Sequence, residues 1–561
     1  MMMFNIFFFL CLTSICYLYI YIHANRYLLP STFYIPTVIF SLMASLLQMG
    51  LPLIYRNTLV KSIQRPRSFT CTIVAKTTRA DESPVVLRRS ANYQPSLWDH
   101  HHLLSVENKY SKDESVHDRD LLKENVRTML NDERTTHLEQ LELIDDLQKL
   151  GVSYHFEREI DNILTFTYHK DRRNFMEYDM EYDLHATALE FRLLRQHGFN
   201  VPEDVFDVFM ENCGKFDSHD INGLLSLYEA SYLSTKSDTK LQKNIRVFAT
   251  QQLRNFVDTH GSKDLSSCDV EMVVQALDMP YHWRMGRLAT RWYIDMYGKK
   301  HNKNPMLLEF SKLDFSIVQA VYQEELKYWR IIFGLLDKSK SLNLGSWDVN
   351  RLDDLPEYMR LCFLVVYNEV NNIGCDILRN KDINVIPFLK KSWADVCKAY
   401  LVEAMWYKGG YKPNLEEYMQ NAWISISSPT IFVHFYCVFS EQLSVQVLET
   451  LSEHRQNIAR CSSFVFRLAN DLVTSPDEMA RGDVLKSIQC YMNETGVSEE
   501  KARMHVQKMI NDMWDEMNYE KIENHSSLIP QDFAETVINL ARMSQCMYQY
   551  GDGQSREIQS H

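Results

Sequence analysis

The chain has 561 residues, 45% of them hydrophobic, and a net charge of −13, with only 17 glycines and 15 prolines. That length suits two or three domains with large cores, and the acidic balance excludes a nucleic-acid binder, which needs a basic footprint. The 12 cysteines form no C-x-x-C pair and no His/Cys cluster at zinc spacing, so they read as reduced, mostly buried thiols of an intracellular protein.

At the amino end, Phe4 to Ile22 carries no charge and is long enough to cross a bilayer. From Met43 to Ala80 the chain is rich in Ser, Thr, Arg and Lys. Residues 1–80 hold seven basic and no acidic side chains, and removing those seven charges from −13 leaves −20 on the rest. This is the composition of a plastid transit peptide. Such a peptide must begin the chain, so Met43 reads as the translation start, 43–83 as the transit peptide and 1–42 as upstream sequence. A translated hydrophobic leader that anchors the chain in a membrane is the alternative. Further on, apolar residues recur three and four apart, as at Leu122, Val126, Met129 and Leu130, and β-branched runs between turns are rare. The fold is expected to be all-α.

Arg467, Asn470, Thr474 and Glu478 fall within about 80° of one helix surface, since each residue turns about 100°. An amide, a hydroxyl and a carboxylate make an all-oxygen set suited to Mg²⁺ or Mn²⁺. A guanidinium beside them suits a diphosphate, which it pairs bidentately. The same spacing also describes an ordinary solvated helix face. Pro476 lies inside the segment and removes one helical hydrogen bond, which could displace Glu478.

The stretch Arg467–Glu478 resembles the second metal-binding motif of plant class I terpene synthases. Leu143–His155, Asp183–Arg192, Asp220–Glu229, Leu308–Gln319, Tyr411–Tyr418, Asn421–Ser427, Arg481–Met492 and Tyr548–Asp552 are also similar to that family. Arg88-Arg89, followed after eight residues by Trp98, is similar to the tandem-arginine motif of its monoterpene synthase subgroup. The resemblance implies an N-terminal α-barrel-like domain over 84–280 and a C-terminal class I terpenoid synthase bundle over 281–561. It implies a Mg²⁺-dependent lyase that ionises and cyclises geranyl diphosphate in the plastid. The mature chain is expected to be a monomer or weak homodimer without stable membrane association. Asn470, Thr474 and Glu478 would hold metal and Arg467 the substrate diphosphate. Arg88 and Arg89 would cap the site, and Asp552, with Tyr548 and Tyr550, would belong to a closing lid. Trp423 would line the cavity on a kinked helix.

The family pattern is interrupted. Between the landmarks Leu313–Tyr328 and Trp347–Met359 stand only residues 329–346, which contain no R-x-R and no D-D-x-x-D. The family places two or more helices there, so a deletion near 329–347 is expected, leaving the C-terminal bundle incomplete and activity impaired or absent. Asp353-Asp354 begins the following helix, and Asp145-Asp146 belongs to the N-terminal domain, where a surface or capping role is expected. Neither pair is expected to hold catalytic metal. The alternatives are a cytosolic sesquiterpene synthase acting on farnesyl diphosphate, and a catalytically inactive helical isoform that acts by pairing with active subunits.

Overall fold

A computed structural model describes residue 110 and residues 113–132, 134–171, 183–211, 220–260, 268–336, 357–454, 456–480, 482, 484–523 and 528–549. No strand occurs among them. The helices of eight or more residues begin with α1 (Asp113–Leu130), α2 (His137–Lys149), α3 (Glu157–Asp171), α4 (Leu184–Gln196), α5 (Ile221–Ser231), α6 (Arg246–His260), α7 (Cys268–Asp278) and α8 (Gly286–Lys299). A long α9 (Pro305–Leu336) leads to α10 (Glu357–Lys381), α11 (Ile386–Gly409), α12 (Leu415–Ser425), α13 (Ser428–Phe439) and α14 (Val445–Ser452). Then come α15 (Asn457–Ala480), α16 (Ser487–Thr495), α17 (Glu499–Ile522) and α18 (Gln531–Tyr548).

Local chemistry starts and stops these helices as expected. Thr136 with Glu139, and Asn414 with Glu417, form reciprocal capping boxes at the starts of α2 and α12. Gly410, at φ +62°, ends α11 in the left-handed conformation. Val126 and Leu130 turn inward from α1 as the periodicity predicts. The stretch Leu415–Phe439 is long and apolar enough to cross a bilayer, yet it is buried inside the bundle. Ser427, at φ +72°, breaks it into α12 and α13, and Pro429 occupies the first turn of α13. The kink expected near Trp423 is therefore a full helix break.

Side chains from α1, α2, α3, α4 and α8 build one core, and α4 to α7 build a second beside it. A larger core gathers α10 to α18. Helix α9 serves two of them: Leu307 and Phe310 sit in the first core, while Val318 and Tyr322 sit in the largest. Between these pairs lies Asp314, wholly buried. Its carboxylate accepts from the Tyr154 hydroxyl at 2.7 Å and faces Nε2 of His155 at 3.0 Å. Arg287 of α8 stands 3.8 Å away and Arg119 of α1 4.0 Å. Gly151, at φ +72°, lets the chain turn tightly from α2 to reach Asp314; a Cβ there would meet Thr290 Oγ1 at 2.5 Å.

Asp145 and Asp146 are half-buried and paired, not solvated, and neither side chain caps a helix. Asp145 is bonded by Arg192 of α4 and lies 2.7 Å from Lys149, and these cations hold its carboxyl below the usual range despite burial. Asp146 accepts from the Tyr293 hydroxyl at 2.9 Å. The correction is physical: adjacent acids on an amphipathic helix look solvated, but beside the local Lys149 their partners are Arg192 of α4 and Tyr293 of α8, distant in sequence. The Asp353-Asp354 pair lies outside the described residues.

A polar seam joins the two halves. His282 Nε2 contacts Asn518 Oδ1 at 2.9 Å, Asn518 donates to the carbonyl oxygens of Tyr232 and Ser234, and Arg542 Nε donates to the His282 carbonyl at 2.8 Å. Trp283 stacks on Trp514, ring centroids 5.3 Å apart. Burial, with Arg542 and Lys521 nearby, pushes the His282 imidazole down to about 3. Unfolded, it would titrate near 6.5. Below that pH the unfolded chain takes up a proton the folded chain refuses, so stability attributable to this residue falls as pH drops from about 6.5 toward 3. His282→Gln should lessen the acid loss. Relative to pH 7.5, the variant should gain about 2 kcal/mol on the wild type at pH 5, measured by urea unfolding at both pH values.

Candidate active site

Helix α15 packs chiefly against α17 and α18, with Phe464, Val465, Phe466 and Leu468 in the core. Its start is tied to α17 by Asn457 Nδ2, which donates to Glu516 and Glu520 at 2.5 and 2.9 Å. The helix continues through Pro476 to Ala480. Arg467, Asn470 and Thr474 are 3%, 7% and 9% exposed, and Asp471 is fully buried. A solvated helix face would leave such side chains in water, so the bland reading of the spacing does not hold.

Buried polar groups require partners, and these have them. Arg467 Nε donates to Asp471 Oδ1 at 2.9 Å, and its Nη2 reaches both that oxygen, at 2.7 Å, and Asn470 Oδ1. Thr474 Oγ1 donates to the Asn470 carbonyl at 3.0 Å, which leaves its lone pairs available. Glu478 Oε2 lies 3.2 Å from Lys486 Nζ but off the direction of a hydrogen bond, so this buried oxygen has no directed donor. Lys486 is 1% exposed. Burial alone would lower its affinity for a proton, but Glu478, with Glu403 and Asp471 near, raises its pKa above the ordinary value. Arg467 stays charged for the same reason: Asp471, Tyr418, Glu478 and Glu403 outweigh its burial. Glu403 of α11 accepts from Ser425 Oγ and keeps its Oε2 without a partner.

Two cations thus face three carboxylates, a formal excess of one buried negative charge. The excess, the unpartnered oxygens of Glu478 and Glu403, and the hard donors Asn470 and Thr474 fit a divalent cation. Among the described residues no three His, Cys, Asp or Glu side chains form a metal cluster; the Asn470/Thr474/Glu478 set has a single carboxylate. Sequence spacing singled out Arg467, Asn470, Thr474 and Glu478 but missed Asp471, Tyr418, Lys486 and Glu403. The i, i+4 relation of Arg467 and Asp471 was the available signal for one of them. Tyr548 ends α18 buried, its ring 6.4 Å from Phe466. Arg88, Arg89, Trp98, Tyr550 and Asp552 lie outside the described residues.

Comparison with known families matches residues 97–277 to "Terpene synthase, N-terminal domain" and 341–516 to "Terpene synthase family, metal binding domain". The chain belongs to the terpene synthase family. Among curated terpene synthases it is 66% identical to tricyclene synthase, chloroplastic, of Arabidopsis thaliana, covering 91% of this chain and 96% of the relative. That alignment spans 571 positions; 91% of 561 residues is about 511, so about 60 positions receive no residue from this chain. Among solved terpene synthases, a limonene synthase structure with 2-fluorolinalyl diphosphate is similar at 37% identity and TM-score 0.76, covering 83% of this chain and 96% of that one. Isoprene synthase from grey poplar leaves, in complex with three Mg²⁺ ions and dimethylallyl-S-thiolodiphosphate, follows at 34% identity and TM-score 0.70, with 80% and 94% covered.

Proposed function

We propose that the chain derives from a plastidial, Mg²⁺-dependent monoterpene synthase acting on geranyl diphosphate, and that the polypeptide as written turns that substrate over poorly or not at all. The observation that carries the first part is the buried set of Arg467 and Lys486 beside Asn470, Thr474 and Glu478. These three oxygen donors would hold the metal, and Arg467 with Lys486 would bind diphosphate oxygens. Here Arg467 donates to Asn470 Oδ1, and Lys486 lies 3.2 Å from Glu478 Oε2. Exchange of those contacts would present ligand oxygens and free both cations together. Bound Mg²⁺ supplies positive charge that stabilises the departing diphosphate anion. The apolar residues around α12, α13 and α15 would keep water from the hydrocarbon cation.

The tricyclene synthase relative and the diphosphate analogue in the limonene synthase structure support the monoterpene substrate. The chloroplastic relative supports reading 43–83 as a transit peptide, and the two family matches support domains over 84–280 and 281–561. The second part rests on the interval after α9, where the sequence holds neither R-x-R nor D-D-x-x-D; about 60 alignment positions without a residue support a shortened chain. Each lost stabiliser of a developing anion typically costs ~10²–10³ in rate.

Amplification and sequencing of the transcript across codons 320–360 tests this reading. A longer product encoding both motifs is expected. A product matching the present sequence would make the polypeptide a true truncated isoform and overturn its assignment as a fragment of an active enzyme's reading frame.

A further inference from the structure

The diphosphate reading of Arg467 leaves one fully buried acid on the same helix without an assigned task. We infer that Asp471 is a positioning residue: its carboxylate holds Arg467, Tyr418 of α12 and the first turn of α16 to one point, and so sets both cations toward the diphosphate. This rests on the site reading given above.

Four donor atoms crowd the carboxylate, three of them through hydrogen bonds. Oδ1 accepts from Arg467 Nε at 2.9 Å and is ion-paired with its Nη2 at 2.7 Å. Oδ2 receives the Tyr418 hydroxyl at 2.9 Å and the Ser487 backbone N–H at 3.1 Å. A carboxylate offers about four lone-pair sites; three accept hydrogen bonds, and the Arg467 guanidinium already supplies the counter-charge a metal would bring. That pairing explains why Asp471, although adjacent to Asn470, is given to Arg467 and not to a metal. Each donor comes from a different part of the site. The Arg467 contact fixes two nitrogens of the guanidinium fork and leaves Nη1 with no partner among the described residues. The Ser487 contact pins the residue next to Lys486, whose ammonium completes the cation pair. Tyr418 braces the carboxylate from α12, the helix that ends at the Ser427 break. A charged group bound at four places in a water-poor interior has one geometry, which is what a preorganised binding site requires.

The test uses the full chain with inorganic pyrophosphate and Mg²⁺, with affinity measured by calorimetry. Asp471→Asn should weaken pyrophosphate binding about 10- to 100-fold, the range expected when hydrogen bonds to a charged group are lost. Arg467→Gln should weaken it by a similar factor. The deciding measurement is the double variant: if Asp471 acts through the cations, Asp471→Asn costs clearly less on the Arg467→Gln background, where only its hold on Lys486 remains to be lost. A full, additive loss there would show a merely structural effect and overturn the proposal. Tyr418→Phe removes one brace while keeping the charge, and it serves if the asparagine variant fails to fold; a severalfold loss that vanishes on the Arg467→Gln background is expected, and an undiminished loss there would overturn the proposal. Wild-type chain that binds no pyrophosphate would overturn the site reading itself, and the positioning role with it. Wild-type binding with unaltered affinity in Asp471→Asn would overturn the positioning role alone.

Discussion

Incubated with geranyl diphosphate and Mg²⁺, residues 84–561 as written should form monoterpene at least ~10³-fold more slowly than a chimaera in which the segment between α9 and α10 is replaced by the corresponding segment of the tricyclene synthase relative. The expectation follows from charge. A departing diphosphate must be neutralised as the carbon–oxygen bond breaks, and the described site offers two cations and one three-oxygen metal position. The family's other motifs, R-x-R and D-D-x-x-D, are absent from the sequence after α9. Products would be followed by gas chromatography, with the Mg²⁺-free reaction as blank. Turnover by the unmodified residues 84–561 comparable to the chimaera would sink the claim of impairment. A soluble, folded chimaera without activity would argue that Asn470, Thr474 and Glu478 do not hold catalytic metal here.

Replacing Asp314 with alanine should destabilise the protein by ~3–5 kcal/mol, because it strips the counter-charge from buried guanidiniums. Arg287 already has two buried nitrogens, Nε and Nη2, without hydrogen-bond partners, and lies 3.8 Å from the carboxylate. The Tyr154 hydroxyl and the His155 ring would lose their acceptor as well. Burial alone would raise the pKa of Asp314, yet His155, Arg287 and Tyr154 hold it below the usual carboxylate range. Its contribution is therefore present above the unfolded carboxyl pKa and is lost as pH falls through the depressed folded value. Chemical denaturation of wild type and Asp314→Ala at pH 7 measures the first effect. A difference below about 1 kcal/mol would mean that Arg287 draws its compensation elsewhere.

What the sequence made readable follows from the range of the interactions involved. The amphipathic helices were legible, because burial of Val126 and Leu130 is written in a local period. The arc of Arg467, Asn470, Thr474 and Glu478 was legible for the same reason, since one helix carries all four. Its burial was not, because a polar stripe looks identical whether water or Tyr418, Glu403 and Lys486 lies opposite. The same limitation affected Asp145, whose partner Arg192 lies 47 residues away. Asp314 stood inside a quoted family-like stretch, yet nothing nearby announced that Tyr154, His155 and Arg287 would converge on it. Local patterns reveal which face turns inward; long-range pairing decides what that face meets.

Helix α9 carries a further consequence, one of angular phase. Phe310 belongs to the first core and Val318 to the largest, eight steps apart along one continuous helix. Those eight steps fix how far one core is rotated relative to the other. A single residue inserted between them would turn everything beyond by about 100° and advance it by about 1.5 Å, so one anchor could seat only by unseating the other. Recombination among relatives should therefore tolerate crossover points in connecting loops far better than a change of length inside this rod, which works as a keyed shaft.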